Sequence, residues 1–208
     1  MDKKKLVLLA IICVAILVAS LAVYFQFTLK QNNSWLALND FVVYRQDVTW
    51  AGSNATTYMF WNITSLNGDM ANIRLVSGIN ISNGSIDISA TEEDSQVNIS
   101  TRQVINCSLQ SDIGSKFPLW IPQSVKVGDA IQTSYGDSTI SPSQTLRIMG
   151  QNRSCWVVAY AYGAGTNMDR YYDAATGICL QIRTHIFSNG ISIAINETAV
   201  QTNIKSLL

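Results

Sequence analysis

Residues Ile191–Asn196, with the sequence ISIAIN, place isoleucine at every second position and end on the first residue of an Asn-X-Ser/Thr sequon. In an extended strand, successive side chains point to opposite faces of the sheet. An asparagine that carries a glycan has to face solvent, so an outward Asn196 turns all three isoleucines inward. The hydrophobic pattern and the sequon therefore agree on a strand with one buried and one solvated face.

The same agreement recurs at three other sequons. An outward Asn62 turns its strand neighbours Trp61 and Ile63 inward. Outward Asn80 and Asn98 likewise turn inward the aliphatic residues that flank them, which are Ile79, Ile81, Val97 and Ile99. Four segments of the chain are therefore predicted to be half-buried strands.

From about residue 39 onward the chain has mostly β-type patterns, in segments spaced about ten residues apart. The candidate strands are 41–50, 56–64, 71–81, 85–90, 95–107, 129–135, 144–149, 155–162, 168–173, 178–187 and 191–198. Turn sequences such as Ser188-Asn189-Gly190 separate many of them, since these residues adopt the positive φ of tight hairpins. We therefore predict an all-β fold: an antiparallel sandwich, or a strongly curved meander or half-barrel.

Residues 108–126 depart from this pattern. They contain two of the three prolines, in Phe117–Pro122 (FPLWIP). We predict a long connection that packs Trp120 on the sheet, with a short helical turn at 109–115.

The N-terminus combines the basic stretch Lys3–Lys5 with the apolar run Leu6–Phe27. About 20 helical residues cross a bilayer core of about 30 Å, so this run is long enough to span a membrane. Because the lysines precede it, the positive-inside rule keeps the N-terminus in the cytoplasm and exports the rest of the chain. We predict a lysine stub and one transmembrane helix at 1–28, a stalk at 29–38 and an extracellular β domain at 39–205.

The alternative is a cleaved signal peptide, for which Val18–Ser20 is an acceptable small-residue cleavage site. The apolar run continues past Ser20 and exceeds the roughly 7 to 15 residues of a typical signal core, which favours the anchor. Both alternatives place the β domain outside the cytoplasm.

Nine sequons without proline at the middle position occur along the chain. They begin at Asn32, Asn54, Asn62, Asn80, Asn83, Asn98, Asn106, Asn152 and Asn196. Only 13% of the residues are charged, and N-linked glycans would compensate for a surface that is poor in charge. The alternative is a Ser/Thr/Asn-rich β protein in which the sequons are incidental.

Four cysteines are present, of which Cys13 lies in the apolar run. An oxidising exterior favours one disulfide among the other three. Strand alternation puts Cys155 and Cys179 on the same side, away from the core, and favours a Cys155–Cys179 bond. A strand paired between theirs would hold them about 10 Å apart, too far for a bond. Pairings with Cys107, and no bond at all, therefore stay open.

No residue pattern predicts a catalytic site, a metal site or a cofactor. Lys plus Arg and Asp plus Glu both number 14, so the net charge is zero and no basic footprint for nucleic acid exists. The single histidine, His185, lies on a predicted exposed face. Asp169 and Asp173 have a spacing compatible with the paired carboxylates of a hydrolase, although Asp173 more simply begins the turn before Gly177.

Aromatic side chains are better candidates for a binding site, since they can line a groove for a glycan or a lipid. The candidates are Trp61, Trp120, Trp156, Tyr160 and Tyr162. The alternative is that they are ordinary core and cross-strand residues of a β-sheet.

Three motifs in the C-terminal half form a series: Val127–Asp129 (VGD), Gly150–Arg153 (GQNR) and Arg170–Ile178 (RYYDAATGI). This series resembles a pattern of uncharacterised archaeal exported proteins, over residues 125–187. The Tyr-Asp-X-X-Thr-Gly hairpin is also similar to hairpins in curved half-barrel carriers of lipids or lipoproteins. The resemblance implies an exported, archaeal β domain and brings no catalytic residues.

The sequence thus predicts a membrane-tethered, glycosylated, non-enzymatic cell-surface domain that acts in binding or envelope assembly. One alternative is a subunit of a surface filament or envelope complex, which would pair its edge strands with other proteins or with copies of itself. Another is a carrier with a concave groove for a lipid or another hydrophobic ligand. The third is an envelope hydrolase acting through Asp169 or Asp173.

Overall fold

The computed structural model describes residues 36–78, 80–82, 85–87, 89–162, 165–188 and 190–208. This part of the chain is all-β, as predicted. Its strands are β1 (Phe41–Trp50), β2 (Ser53–Asn67), β3 (Met70–Ser77), β4 (Asn80–Ser82), β5 (Ser85–Asp87), β6 (Thr91–Asn98), β7 (Val104–Cys107), β8 (Ala130–Thr133), β9 (Gly136–Ile148), β10 (Gln151–Tyr162), β11 (Thr166–Asp173), β12 (Cys179–Ser188) and β13 (Ile191–Thr202). Short 3-10 turns lie at Gln110–Asp112 and Lys205–Leu207.

Eleven of these strands form one sheet in which neighbours pair antiparallel. Their order is β7-β6-β3-β2-β1-β13-β12-β11-β10-β9-β8, and β4 and β5 form a separate hairpin. The chain therefore runs as two meanders that meet where β1 pairs with β13. The two edge strands of the sheet, β7 and β8, are consecutive in sequence, and residues 108–129 connect them.

The sheet curves so strongly that its two edges approach each other. Arg102, just before β7, is buried, and its Nη2 donates a hydrogen bond to the Gln132 carbonyl of β8 at 3.0 Å. The N–H of Ser134, just after β8, donates to the Lys116 carbonyl at 3.1 Å, and Lys116 forms a β-bridge with Gln103. A single sheet bent in this way is the half-barrel form of the predicted fold, which is confirmed in preference to the sandwich.

Residues 108–129, here called the crossing segment, pack across the concave side of the sheet. Trp120 is 1% exposed, and its ring centroid lies 6.1 Å from that of Trp61 on β2. The N–H of Ile121 donates to the Gly177 carbonyl at 2.9 Å. The predicted packing of Trp120 on the sheet is thus confirmed.

Most strands lie close to their predicted positions, and β1 spans 41–50 as predicted. The predicted single strand at 95–107 is wrong, because β6 ends at Asn98 and β7 begins only at Val104. Arg102 adopts a φ of +60°, and the Asn98 Oδ1 accepts a hydrogen bond from the Thr101 N–H at 2.8 Å. An asparagine that bonds the backbone in this way favours a turn over a continuous strand.

The residues predicted to face inward are buried at most of the positions whose side chains the structure describes, whereas Ile79 and the side chain of Ile81 lie outside the described residues. Trp61 and Ile63 are fully buried on β2, and Ile193 and Ile195 are 2% and 8% exposed on β13. Ile191 is 39% exposed because it begins β13 at a hairpin. Alternation therefore predicts the buried face along the body of these strands and fails at the hairpin end.

Residues 1–35 lie outside the described part of the chain, and with them the predicted anchor at 1–28 and most of the stalk at 29–38. Within the described ranges, no helix is both long and apolar enough to cross a bilayer. Residues 37–208 form one compact unit. The single membrane span stays a prediction.

Candidate functional site

A cavity of about 460 Å³ lies between the concave face of the sheet and the crossing segment. Its apolar wall comes from both meanders, with Met59 and Leu75 on one side and Ile182 and Ile195 on the other. Phe117 contributes from the crossing segment. Antiparallel pairing aligns the inward residues of neighbouring strands in rows, so alternation along each strand becomes a continuous apolar wall.

One row of inward positions is polar and crosses the middle of the sheet. Gln46 pairs with Glu197, Glu197 with Ile182, and Ile182 with Arg170. The last three of these residues line the cavity. Gln46 is 2% exposed, and its Nε2 donates to Glu197 Oε1 at 2.5 Å. The row thus brings a carboxyl group and a guanidinium to the cavity wall, one on each side of Ile182.

Arg170 is 3% exposed, yet among the described residues no carboxylate forms an ion pair with it. Its Nη1 donates to the Pro118 carbonyl at 3.1 Å, and its Nε contacts the Met168 sulfur at 3.3 Å. The guanidinium carbon lies 4.4 Å from the ring centroid of Tyr135, which is a cation–π contact. A permanently charged side chain therefore faces the cavity with a carbonyl, a sulfur and a ring as its partners.

Burial shifts two carboxyl groups of the cavity toward their neutral forms. Desolvation raises the pKa of Glu197, while the hydrogen bond from Gln46 and then the charge of Arg170 act in the opposite direction. Desolvation, and then the neighbouring Asp112, raise the pKa of Glu93 on β6. These acids ionise less readily than they do in water, whereas Arg170 keeps its charge.

Four of the aromatic residues predicted to form a groove have described side chains, and these do not line this cavity. Trp61 and Trp120 pack on each other in the core, and Tyr160 is 5% exposed on β10. Trp156 is half-buried on the same strand, and the side chain of Tyr162 lies outside the described residues. These side chains contribute to core packing where the structure describes them.

Three polar residues that line the cavity and are central to it are not predicted as site residues from the sequence: Tyr135, Arg170 and Glu197. For Glu197 a signal exists, because the alternation that turns Ile193 and Ile195 inward also turns Glu197 inward. A charged residue on a predicted buried face is the pattern that identifies such a position. Tyr135 lies in the turn between β8 and β9 and carries no comparable signal.

The predicted glycosylation sites differ in exposure. Asn54, Asn106 and Asn152 are exposed, whereas Asn62, Asn98 and Asn196 are half-buried. The Asn196 Oδ1 accepts a hydrogen bond from Gln181 Nε2 at 2.9 Å. Asn32, Asn83 and the side chain of Asn80 lie outside the described residues.

The cysteines that the structure describes are free thiols, so the predicted Cys155–Cys179 disulfide is absent. Cys155 pairs with one side of β11 and Cys179 with the other, so a strand separates them. Both thiols are fully buried, not turned away from the core as predicted. Burial is the largest cause that raises the pKa of each to about 12. Cys107, the other predicted partner, is free and half-buried.

Asp173 has a structural role in the turn after β11, as the simpler interpretation predicts. Its Oδ2 accepts hydrogen bonds from the N–H and Oγ1 of Thr176 at 2.9 and 2.8 Å, and Arg153 forms an ion pair with its Oδ1 at 3.4 Å. Asp169 is half-buried earlier on β11, and His185 is exposed on β12. No three metal-ligating side chains group together in the described ranges.

Comparisons with known proteins give no family assignment. No protein-family profile and no curated protein matches the chain. Among solved structures, the chain is similar to the hypothetical lipoprotein YmcC from Escherichia coli, with 14% identity and a TM-score of 0.36 over 86% of this chain and 96% of that one. It is also similar to a domain assigned to outer membrane lipoprotein sorting from Vibrio parahaemolyticus, with 10% identity and a TM-score of 0.28 over 88% of this chain and 91% of that one. At these TM-scores the function has to be inferred from the cavity of the chain itself.

Proposed function

We propose that this chain is a membrane-tethered, exported β domain that binds a lipid or another hydrophobic molecule in its concave cavity. The observation that carries the proposal is the cavity, with a volume of about 460 Å³ and apolar walls from both meanders. Sites for small molecules are typically concave, largely apolar and about 300–1,000 Å³ in volume. A single curved sheet leaves such a space, whereas a sandwich fills it with side chains of a second sheet.

The attachment of the crossing segment supports a cavity that exists before the ligand binds. The Pro118 carbonyl accepts hydrogen bonds from Arg170 Nη1 at 3.1 Å and from the Tyr172 hydroxyl at 2.8 Å. Further along the segment, the Ile121 N–H donates a hydrogen bond to the Gly177 carbonyl. A wall fixed at several points loses little further conformational freedom when a ligand binds, which favours affinity.

The tether and the glycans belong to the same proposal. The run Leu6–Phe27 suits a single span with a cytoplasmic N-terminus and an extracellular C-terminal domain. The exposed sequons Asn54, Asn106 and Asn152 are the best placed to carry N-glycans. A binding domain held at the outer face of a membrane is suited to store or transfer a lipid there without chemistry of its own.

The test uses the full-length chain in lipid nanodiscs. The ligands that co-purify with it are extracted and identified by mass spectrometry, and the wild type is compared with two variants. Thr184 on β12 lines the cavity, so Thr184→Trp should fill the space and abolish co-purification. Thr56 on β2 is exposed and outside the cavity lining, so Thr56→Trp is the matched control. Circular dichroism checks that both variants fold.

A ligand found with the wild type and with Thr56→Trp, but not with Thr184→Trp, supports the proposal. A wild-type chain that carries nothing beyond the nanodisc lipid and binds no added hydrophobic fluorophore refutes it. Two separate experiments check the tether and the glycans. Protease treatment of intact cells tests whether the β domain is exposed outside the cell, and glycopeptide mass spectrometry measures which sequons carry glycans.

A further inference from the structure

We propose that the cavity selects amphiphiles with an anionic head group, a carboxylate or a phosphate, which binds the guanidinium of Arg170. The inference rests on the proposed function and narrows its ligand class. It is carried by a buried arginine that faces the cavity and with which no described carboxylate forms an ion pair.

The protein itself satisfies the Arg170 guanidinium only in part. The group carries five N–H donors in a planar fork. The described contacts engage Nε, with the Met168 sulfur, and Nη1, with the Pro118 carbonyl. The Glu197 carboxyl group acts on this charge electrostatically but forms no ion pair with it, and a buried charge without a directly bonded counter-ion is unfavourable. Oxygens of a carboxylate or a phosphate match the fork and would supply both the missing acceptors and the opposite charge.

Arg102 shows how a buried arginine with a purely structural role differs from Arg170. Its Nη1 and Nη2 donate to three backbone carbonyls, those of Phe117, Trp120 and Gln132. Arg102 does not line the cavity. The guanidinium of Arg170 has one carbonyl partner and open space beside it, which is the arrangement that a ligand completes.

The remaining charged groups of the cavity restrict where an anion can lie. Glu93 on β6 and Asp112 in the crossing segment line one side, and Glu197 lies along the same row as Arg170. Each repels an anion when it is ionised. The favoured place for the head group is therefore beside Arg170 and the Tyr135 ring, with the apolar tail against the aliphatic wall.

The experiment uses photoreactive analogues of hexadecanoic acid, hexadecyl phosphate and hexadecanol with the full-length chain in phosphatidylcholine nanodiscs. Mass spectrometry of cross-linked peptides then measures labelling at cavity residues. Acid or phosphate should label the wild type more than the alcohol does. In Arg170→Gln the acid-to-alcohol ratio should fall by about tenfold to a hundredfold, as expected for the loss of one charge-assisted interaction. The phosphate-to-acid ratio identifies which of the two head groups is preferred.

Two further variants separate charge from folding. Arg170→Lys keeps the charge but loses the fork, so its ratio should lie between those of the wild type and Arg170→Gln. Arg45→Gln removes an exposed arginine outside the cavity and should leave the ratio unchanged. An acid-to-alcohol ratio near one in the wild type, or an unchanged ratio in Arg170→Gln, overturns the head-group inference while ligand binding stands. Absence of cavity labelling by all three probes refutes the proposed function instead.

Discussion

The Nη2 of Arg102 lies 3.0 Å from the carbonyl oxygen of Gln132, and this hydrogen bond joins the two edges of the sheet. Arg102 precedes β7 and Gln132 lies in β8, the first and last strands in the order across the sheet. The Nη1 of the same guanidinium donates to the Trp120 carbonyl at 3.1 Å. One buried side chain thus connects both edges with the crossing segment.

Replacing Arg102 by methionine should lower the free energy of unfolding by about 2–4 kcal/mol, because buried carbonyls lose their donors. Urea unfolding followed by tryptophan fluorescence measures the change. Arg45→Met is the control, since Arg45 is exposed and its pairing with Asp47 at 2.9 Å is a surface contact of the kind that contributes about 1 kcal/mol or less. Equal losses in the two variants would contradict the role assigned to Arg102.

Gly177 and Gly190 share a φ of +76° but differ in their surroundings. A Cβ on Gly177 would clash with the carbonyl oxygen of Ile121 in the crossing segment, whereas one on Gly190 meets nothing within 4 Å. Both alanine variants carry the left-handed backbone cost of about 1–2 kcal/mol. We expect Gly177→Ala to lose about 2 kcal/mol more than Gly190→Ala, because the crossing segment has to move. Similar thermal melting curves for the two variants would show that the segment is not held at this turn.

Alternation in the sequence is sufficient to place Trp61, Ile63 and Ile193 on the buried face, because the period of two is a local property of a strand. It does not choose between a sandwich and a half-barrel. An inward residue has the same pattern whether it meets a second sheet or a crossing segment. The choice depends on contacts such as Arg102 to Gln132, which join residues 30 positions apart.

The polar row of the cavity depends on strand registers that the sequence does not state. Gln46, Glu197 and Arg170 become neighbours only through the pairings of β1, β13, β12 and β11. Strand irregularities explain the error at the cysteines. The register of the β10–β9 pairing shifts directly after Cys155, and that of the β11–β12 pairing shifts next to Cys179. A β-bulge at such a shift changes the face to which a side chain points.

The described thiols should react with iodoacetamide in an order set by their exposure. Cys107 is half-buried and should be labelled in the folded chain. Cys155 and Cys179 are fully buried, and burial raises the pKa of each to about 12, so they should be protected until urea unfolds the chain, since the thiolate is the reactive form. Peptide mapping without reductant measures the order. A Cys155–Cys179 cross-linked peptide in that digest would contradict the expectation.

Glu197 should make the stability of the domain depend on pH. The ordinary pKa of its carboxyl group is 4.5, and burial raises it in the folded chain. A group with a raised pKa binds more protons in the folded state than in the unfolded state, so the free energy of unfolding falls as the pH rises through the folded pKa. The stabilising contribution is complete below the unfolded value and is lost above the folded one. The pKa of Glu93 shifts in the same direction.

We therefore expect urea unfolding to need more denaturant at about pH 5 than at about pH 7.5. Glu197→Gln should flatten this dependence and be more stable than the wild type at the higher pH, because an amide has no charge to bury. Glu92→Gln removes a carboxyl group that is 63% exposed and should keep the wild-type slope. A slope in Glu197→Gln parallel to that of the wild type would mean that the Glu197 carboxyl is solvated when ionised.

Glu197 shares its row with Arg170, so Glu197→Gln should also hold an anionic head group more tightly. The acid-to-alcohol labelling ratio measures that effect independently of stability.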